Sequence, residues 1–175
     1  MKRQSGTLNS SSGALRRASR LAAVQALYQL TLSSTDENDD EVEDTIIEFL
    51  THRPGAELPE DAYAEFDDDL FSDLVRGTRR HHTKLVKILD DVLPMRWNFS
   101  RLDRILAEVL GCAAYEMNHR PDVPVAVIIN EYIEITKAFY AGNEGGFING
   151  VLQEVAQKLR AEEVLEHRNE RAKSS

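Results

Sequence analysis

The segment Ala14–Leu32, ALRRASRLAAVQALYQLTL, constrains this chain more than any other. In its second half Leu21, Val24, Leu27, Tyr28, Leu30 and Leu32 are interleaved with Ala22, Ala23 and Ala26, leaving almost no polar side at helical spacing. A helix that is apolar around its circumference has to be enclosed by other elements, so the segment predicts a central, buried helix. Its start has the opposite character. At about 100° per residue, Arg16, Arg17 and Arg20 fall within roughly a quarter turn. Like charges at that spacing repel by about a few tenths of a kcal/mol per pair. They also stand at the positive end of the helix dipole, where cations are disfavoured. A docked anion would relieve both penalties, and nucleic-acid phosphate suits such a cluster; a solvated basic turn is the alternative.

The charge distribution fits a confined anion site. The net charge of −9 excludes indiscriminate coating of nucleic acid, yet residues 1–35 hold five of the 21 basic residues and none of the 30 acidic ones. No run approaches the ~18 apolar residues of a membrane helix. The single cysteine, Cys112, can form neither an internal disulfide nor a zinc site alone, which fits a reducing, cytoplasmic compartment. With 42% apolar residues the chain can bury one good core or two small ones.

Along the chain the pattern is helical throughout, predicting an all-α protein. Residues 1–13, Ser-rich and without acids, read as a disordered basic tail. After the acidic stretch 35–45, Ile46, Ile47, Phe49 and Leu50 predict a short helix stopped by Pro54-Gly55. Asp67, Asp68 and Asp69 point three ways on a helix, and the dipole favours acids there, so a metal site is not expected. Phe66, Leu70, Phe71, Leu74, Val75, Leu85, Ile88, Leu89 and Val92 predict one long helix or two broken near Gly77. In its middle lies RGTRRHH, a second basic cluster where Arg79 and Arg80 are candidate secondary phosphate contacts and His81 and His82 lack a zinc-protease spacing. PMRWNF marks a joint, dividing the chain into helical subdomains 14–93 and 94–175.

Ser100, with Asp103 after it, is expected to cap a helix carrying Leu102, Ile105, Leu106, Val109, Cys112, Ala113 and Met117 on one face, with Cys112 in the core. Pro124 and Gly142 bracket the next helix. The last one opens at GNEGG, which lacks the Lys-Ser or Lys-Thr of a nucleotide-binding loop. Ile148, Val151, Leu152, Val155 and Leu159 form its buried stripe. Phe147 lies on the edge of that stripe, in a first turn whose free N–H groups attract anions. It can stack on an unpaired base or pack into the core. Beyond Arg160 the charged end is expected to fray.

Three stretches, in order, resemble one family. ALRRASRLAAVQALYQL resembles the RRxARxxAxQALYQ opening of the bacterial NusB transcription antitermination factors, RPDVPVAVIINEYIEITKAF their PxxVaINEaveLAKxF segment, and GGFINGVLQEVA their KFVNGVLdxia. The resemblance implies an all-α protein of two packed helical subdomains with no enzyme activity, no metal and no cofactor. It implies binding of single-stranded boxA-type RNA together with the ribosomal protein NusE, and action on RNA polymerase in ribosomal RNA operons. By position, the RNA-binding arginines are Arg16, Arg17 and Arg20, and the RNA-proximal aromatic is Phe147; beside it, the short polar groups around Asn143 are expected to read a base edge. Ala18, Gly146, Glu144 and Gly111 depart from the pattern; the first three thin or oppose the expected positive charge, and Gly111 alters the partner-facing helix. Two other readings stay open: a detached NusB-like targeting domain related to ribosomal RNA methyltransferases, and a protein–protein adaptor that binds RNA weakly.

Overall fold

The arginine-headed segment forms the middle and end of α1 (Ser5–Ser33), the longest helix of a computed structural model that describes residues 5–33, 38–52 and 67–174. Its body is enclosed as the pattern requires: Ala23, Ala26 and Leu27 are 0% exposed. One edge stays outside, with Leu21 and Tyr28 half-buried and Leu32 exposed. The helix begins at Ser5 rather than Ala14, so the backbone of residues 5–13, expected as a tail, continues the helical ladder. Once a buried body has nucleated the helix, each added upstream residue gains a hydrogen bond at small cost. Lys2 and Arg3 lie outside the described residues, as do Phe66 and the Pro54–Pro59 connector.

The chain divides into two compact units, residues 1–80 and 81–175. The boundary falls at His81, upstream of the Pro94 joint expected from sequence. There α3 (Asp68–Arg80) stops and α4 (His82–Val92) starts, the His81 backbone leaving helical geometry at φ −101°, ψ 11°. The apolar period runs on across this break, which is why it reads as nearly continuous.

In the first unit α1 packs on α2 (Asp39–His52) and α3. α2 starts inside the acidic stretch because Asp39, Asp40 and Glu41 suit the positive end of its dipole. The Asn38 side chain accepts from the Asp40 N–H at 3.1 Å. Val42 and Thr45 join Ile46 and Phe49 in the core, whereas Ile47 is exposed and Leu50 half-buried. Phe49 stacks on Phe71 of α3 at 5.8 Å. The Ser19 hydroxyl lies 3.0 Å from the carbonyl oxygens of both Leu15 and Asp67, and Asp67 caps α3 by accepting from the Leu70 N–H at 3.0 Å.

A two-pronged ion pair joins α2 to α3: Arg76 donates from Nε and Nη2 to the Glu43 carboxylate at 2.5 and 2.7 Å. The Arg76 hydrogen bond holds the Glu43 carboxyl below the ordinary glutamate range. A depressed carboxylate contributes stability above its unfolded pKa of about 4.3 and loses it as pH falls through the folded value. Because both side chains are partly exposed, the contribution is under about 1 kcal/mol. Glu43→Gln should therefore lower stability slightly at pH 7 and leave the variant and parent closer together at pH 3, in urea unfolding at the two pH values.

The second unit is organised around α5 (Arg104–His119), buried almost without interruption from Leu106 to Met117 and including Cys112 at 0% exposure. α4, α6 (Val125–Phe139) and α7 (Glu144–Leu159) pack on it. Asp103, not Ser100, caps α5, accepting from the Ile105 N–H at 3.0 Å. Ser100 sits in a 3-10 turn, Phe99–Arg101, and donates its hydroxyl to Asn98 at 2.8 Å, while Asn98 caps that turn. Tyr140 donates to the Asp103 carboxylate as well. In the interior Tyr132 donates its hydroxyl to Glu116 at 3.0 Å, both residues being 0% exposed, so a carboxyl group is kept inside by a designated donor.

The charged end forms α8 (Ala161–Lys173) instead of fraying from Arg160. The reason lies in Arg160, whose guanidinium donates to the carbonyls of Met117 (2.7 Å), Val123 (2.7 Å) and Arg120 (2.6 Å). These are carbonyl groups at the end of α5 and in the turn beyond it, some of them left without helical partners. Glu163, one turn on, pairs with Arg160 at 3.2 Å and accepts from the Val125 N–H at 2.7 Å, capping the start of α6. The first turn of α8 is thus tied to two other helices, with Val164 buried beside it. No described helix is long and apolar enough to cross a membrane.

Candidate nucleic-acid contacts

On the first unit the arginines divide by depth. Arg16 and Arg17 are exposed, one residue apart on a helix whose next turns are enclosed. Arg20 is 2% exposed, because one turn further on the helix has entered the core. Both Arg17 and Arg20 interact with other groups of the chain. The solvent-facing positive charge on α1 is therefore carried by Arg16 and Arg17. Arg79 is half-buried and Arg80 exposed, in the last turn of α3, where the helix dipole favours cations. Among the described residues no group of three or more His, Cys, Asp or Glu could hold a metal ion.

On the second unit the start of α7 brings Asn143 and Phe147 together. The Asn143 carbonyl accepts from the N–H groups of Gly146 (3.0 Å) and Phe147 (3.2 Å). Its exposed side chain makes no capping hydrogen bond, so the amide is not committed to closing the helix. Gly146 is exposed, with nothing within 4 Å of the position a Cβ would take, so the backbone there is open to approach. Glu144 is turned in: its Oε2 is buried without a hydrogen-bond partner, 2.7 Å from where a Cβ on Gly142 would stand. A side chain at position 142 would have to displace that carboxylate.

Phe147 is half-buried, and its ring centroid lies 6.0 Å from that of Trp97, with the planes inclined at 48°. Trp97 was not singled out by sequence reasoning. The available signal was the only tryptophan of the chain standing in the short joint PMRWNF, where no helical stripe claims it. His81, His119 and Tyr115 form a separate stack, with His81–His119 and Tyr115–His119 centroids 4.4 and 4.5 Å apart. His119 Nδ1 lies 3.1 Å from the Tyr115 carbonyl. These contacts account for the histidines as packing groups.

Comparison with known proteins places this architecture. The NusB family model matches residues 17–157. The transcription antitermination protein NusB of Rhodopseudomonas palustris (strain BisB5) is 38% identical over 146 residues, covering 83% of this chain and 81% of the relative. That of Nitrobacter hamburgensis is 39% identical over 148 residues, covering 85% and 89%. Among solved structures, NusB of T. maritima superposes with a TM-score of 0.64 at 27% identity, covering 85% of this chain and 96% of that one. On the strength of the matched helices and these relatives, the chain belongs to the NusB family, transcription antitermination proteins that are not enzymes.

Proposed function

We propose that the protein binds boxA-type single-stranded RNA together with the ribosomal protein NusE and, through that complex, acts on RNA polymerase in ribosomal RNA operons. The observation that carries this reading is the exposed pair Arg16 and Arg17 on α1, one turn before that helix enters the core, in a family member whose body is acidic. Guanidiniums fix phosphates by paired hydrogen bonds without reading sequence. Arg20, 2% exposed one turn further on, is set back from this surface. Phe147 supplies an aromatic face for an unpaired base, and Asn143 an amide with donor and acceptor for its edge. Arg79 and Arg80 give secondary phosphate contacts.

The test is fluorescence anisotropy of a labelled boxA-type oligoribonucleotide and a scrambled one, with and without purified NusE. Tighter binding of the boxA-type strand, strengthened by NusE, is the expected result. Equal, weak binding of both strands whether or not NusE is present would refute the reading. Capture of NusE without any RNA binding would favour the protein–protein adaptor instead.

A further inference from the structure

We propose that Trp97 is a second nucleobase-stacking residue, acting beside Phe147 on one unpaired base at the start of α7. This rests on the reading of Phe147 as an RNA contact and adds a residue to it. Trp97 is 49% exposed, and Met95 two residues earlier is fully exposed. A tryptophan left half in water forgoes about half of the burial that its size would otherwise bring. The fold does not leave it there through slackness. The Trp97 N–H donates to the Pro94 carbonyl at 2.7 Å, and the Asp90 carboxylate accepts from the Phe99 N–H at 2.7 Å. Asn98, between them, caps the following turn by accepting from the Arg101 N–H at 3.1 Å. The loop carrying the indole is therefore pinned on both sides of it, which lowers the ordering cost of using the ring as a contact.

The ring geometry favours a base as the occupant. At 6.0 Å and 48° the two rings meet at an angle, so neither covers the face of the other. A flat π-system stacks on such a face whatever its identity, which is how single strands are held without sequence readout. The flanking charge has the matching sign: Arg96 and Arg101, on either side of the pinned turn, are both exposed. A base entering against Trp97 brings its phosphate among these cations, and the uncommitted Asn143 amide stands at the same helix start as Phe147.

The chain has one tryptophan, so its intrinsic emission reports on this position alone. The full chain is titrated with a dye-labelled boxA-type oligoribonucleotide, and with an abasic oligomer of equal length and charge, while anisotropy and tryptophan emission are recorded together. Quenching that tracks saturation by the RNA, and is absent with the abasic oligomer, is expected. Trp97→Ala should raise Kd about tenfold with the salt dependence unchanged, and Trp97→Phe should recover most of the loss. If RNA binds but the emission stays constant, or the abasic oligomer quenches equally, the indole does not stack and the inference falls while the RNA-binding reading stands. If the wild-type chain binds no RNA by anisotropy, both fall together. The emission experiment needs no variant, so a poorly folded Trp97→Ala does not protect the inference.

Discussion

Replacing Arg160 with alanine should cost about 3 kcal/mol of stability, the largest effect of any single polar substitution in the second unit. The side chain is 10% exposed and serves carbonyl oxygens of Met117, Arg120 and Val123 at 2.6–2.7 Å, besides its pairing with Glu163. Removing it takes the donor from the Met117 and Val123 carbonyls, while that of Arg120 keeps the Val123 N–H at 3.1 Å, and an unmade hydrogen bond at a sheltered site costs more than a made one contributes. It also frees Glu163, which caps α6 through the Val125 N–H. The conservative Arg160→Lys should recover only part of the loss, since a compact ammonium cannot span carbonyls that a planar guanidinium reaches from three nitrogens. Guanidinium chloride unfolding of the three proteins measures this. A loss below about 1 kcal/mol for Arg160→Ala would show that water replaces the guanidinium without penalty. Hydrogen exchange supplies a second readout: amides of α8 should lose protection in the alanine variant while those of α1 stay unchanged.

The second large effect is on binding. Arg16→Ala with Arg17→Ala should weaken RNA affinity at least about tenfold, since each removes an exposed guanidinium able to donate to phosphate. Both side chains are exposed, so thermal stability should change by no more than about 0.5 kcal/mol. Arg20→Ala is a different experiment. At 2% exposure its loss opens a gap inside the first unit, and reduced affinity there would be accompanied by a lower melting temperature. Comparing the exposed double variant with the buried single one separates contact from support.

Most of the fold was legible in the sequence because each helix writes its buried stripe at a spacing of three and four. The Ala22–Ala26 body of α1, the Val125–Phe139 helix with proline before it, and the core position of Cys112 all follow from that rule. What escaped depends on partners distant in sequence. Nothing local in RAEEVLEHRNE says that Arg160 closes carbonyls some 40 positions earlier, so α8 reads as a loose charged end. Ser100 is as good a local cap as Asp103, and it is Asp103 that Tyr140, far along the chain, engages with its hydroxyl. The depth of Arg20 was hidden for a similar reason: helical phase places it on the arc of Arg16 and Arg17, but phase does not say how far along the axis the core begins. Trp97 was missed because a single aromatic in a joint has no period to read.

Phosphate capture by the exposed guanidiniums of α1 is the central step of the proposed RNA binding. The most direct measurement is the slope of log Kd against log salt concentration for a boxA-type oligoribonucleotide, in the wild type and in the Arg16→Ala/Arg17→Ala variant. Two lost phosphate contacts to a single strand should make the slope shallower by about 1.4, alongside the fall in affinity. An unchanged slope and an unchanged Kd would mean that these arginines touch no phosphate, and the proposed mode of RNA binding would be contradicted.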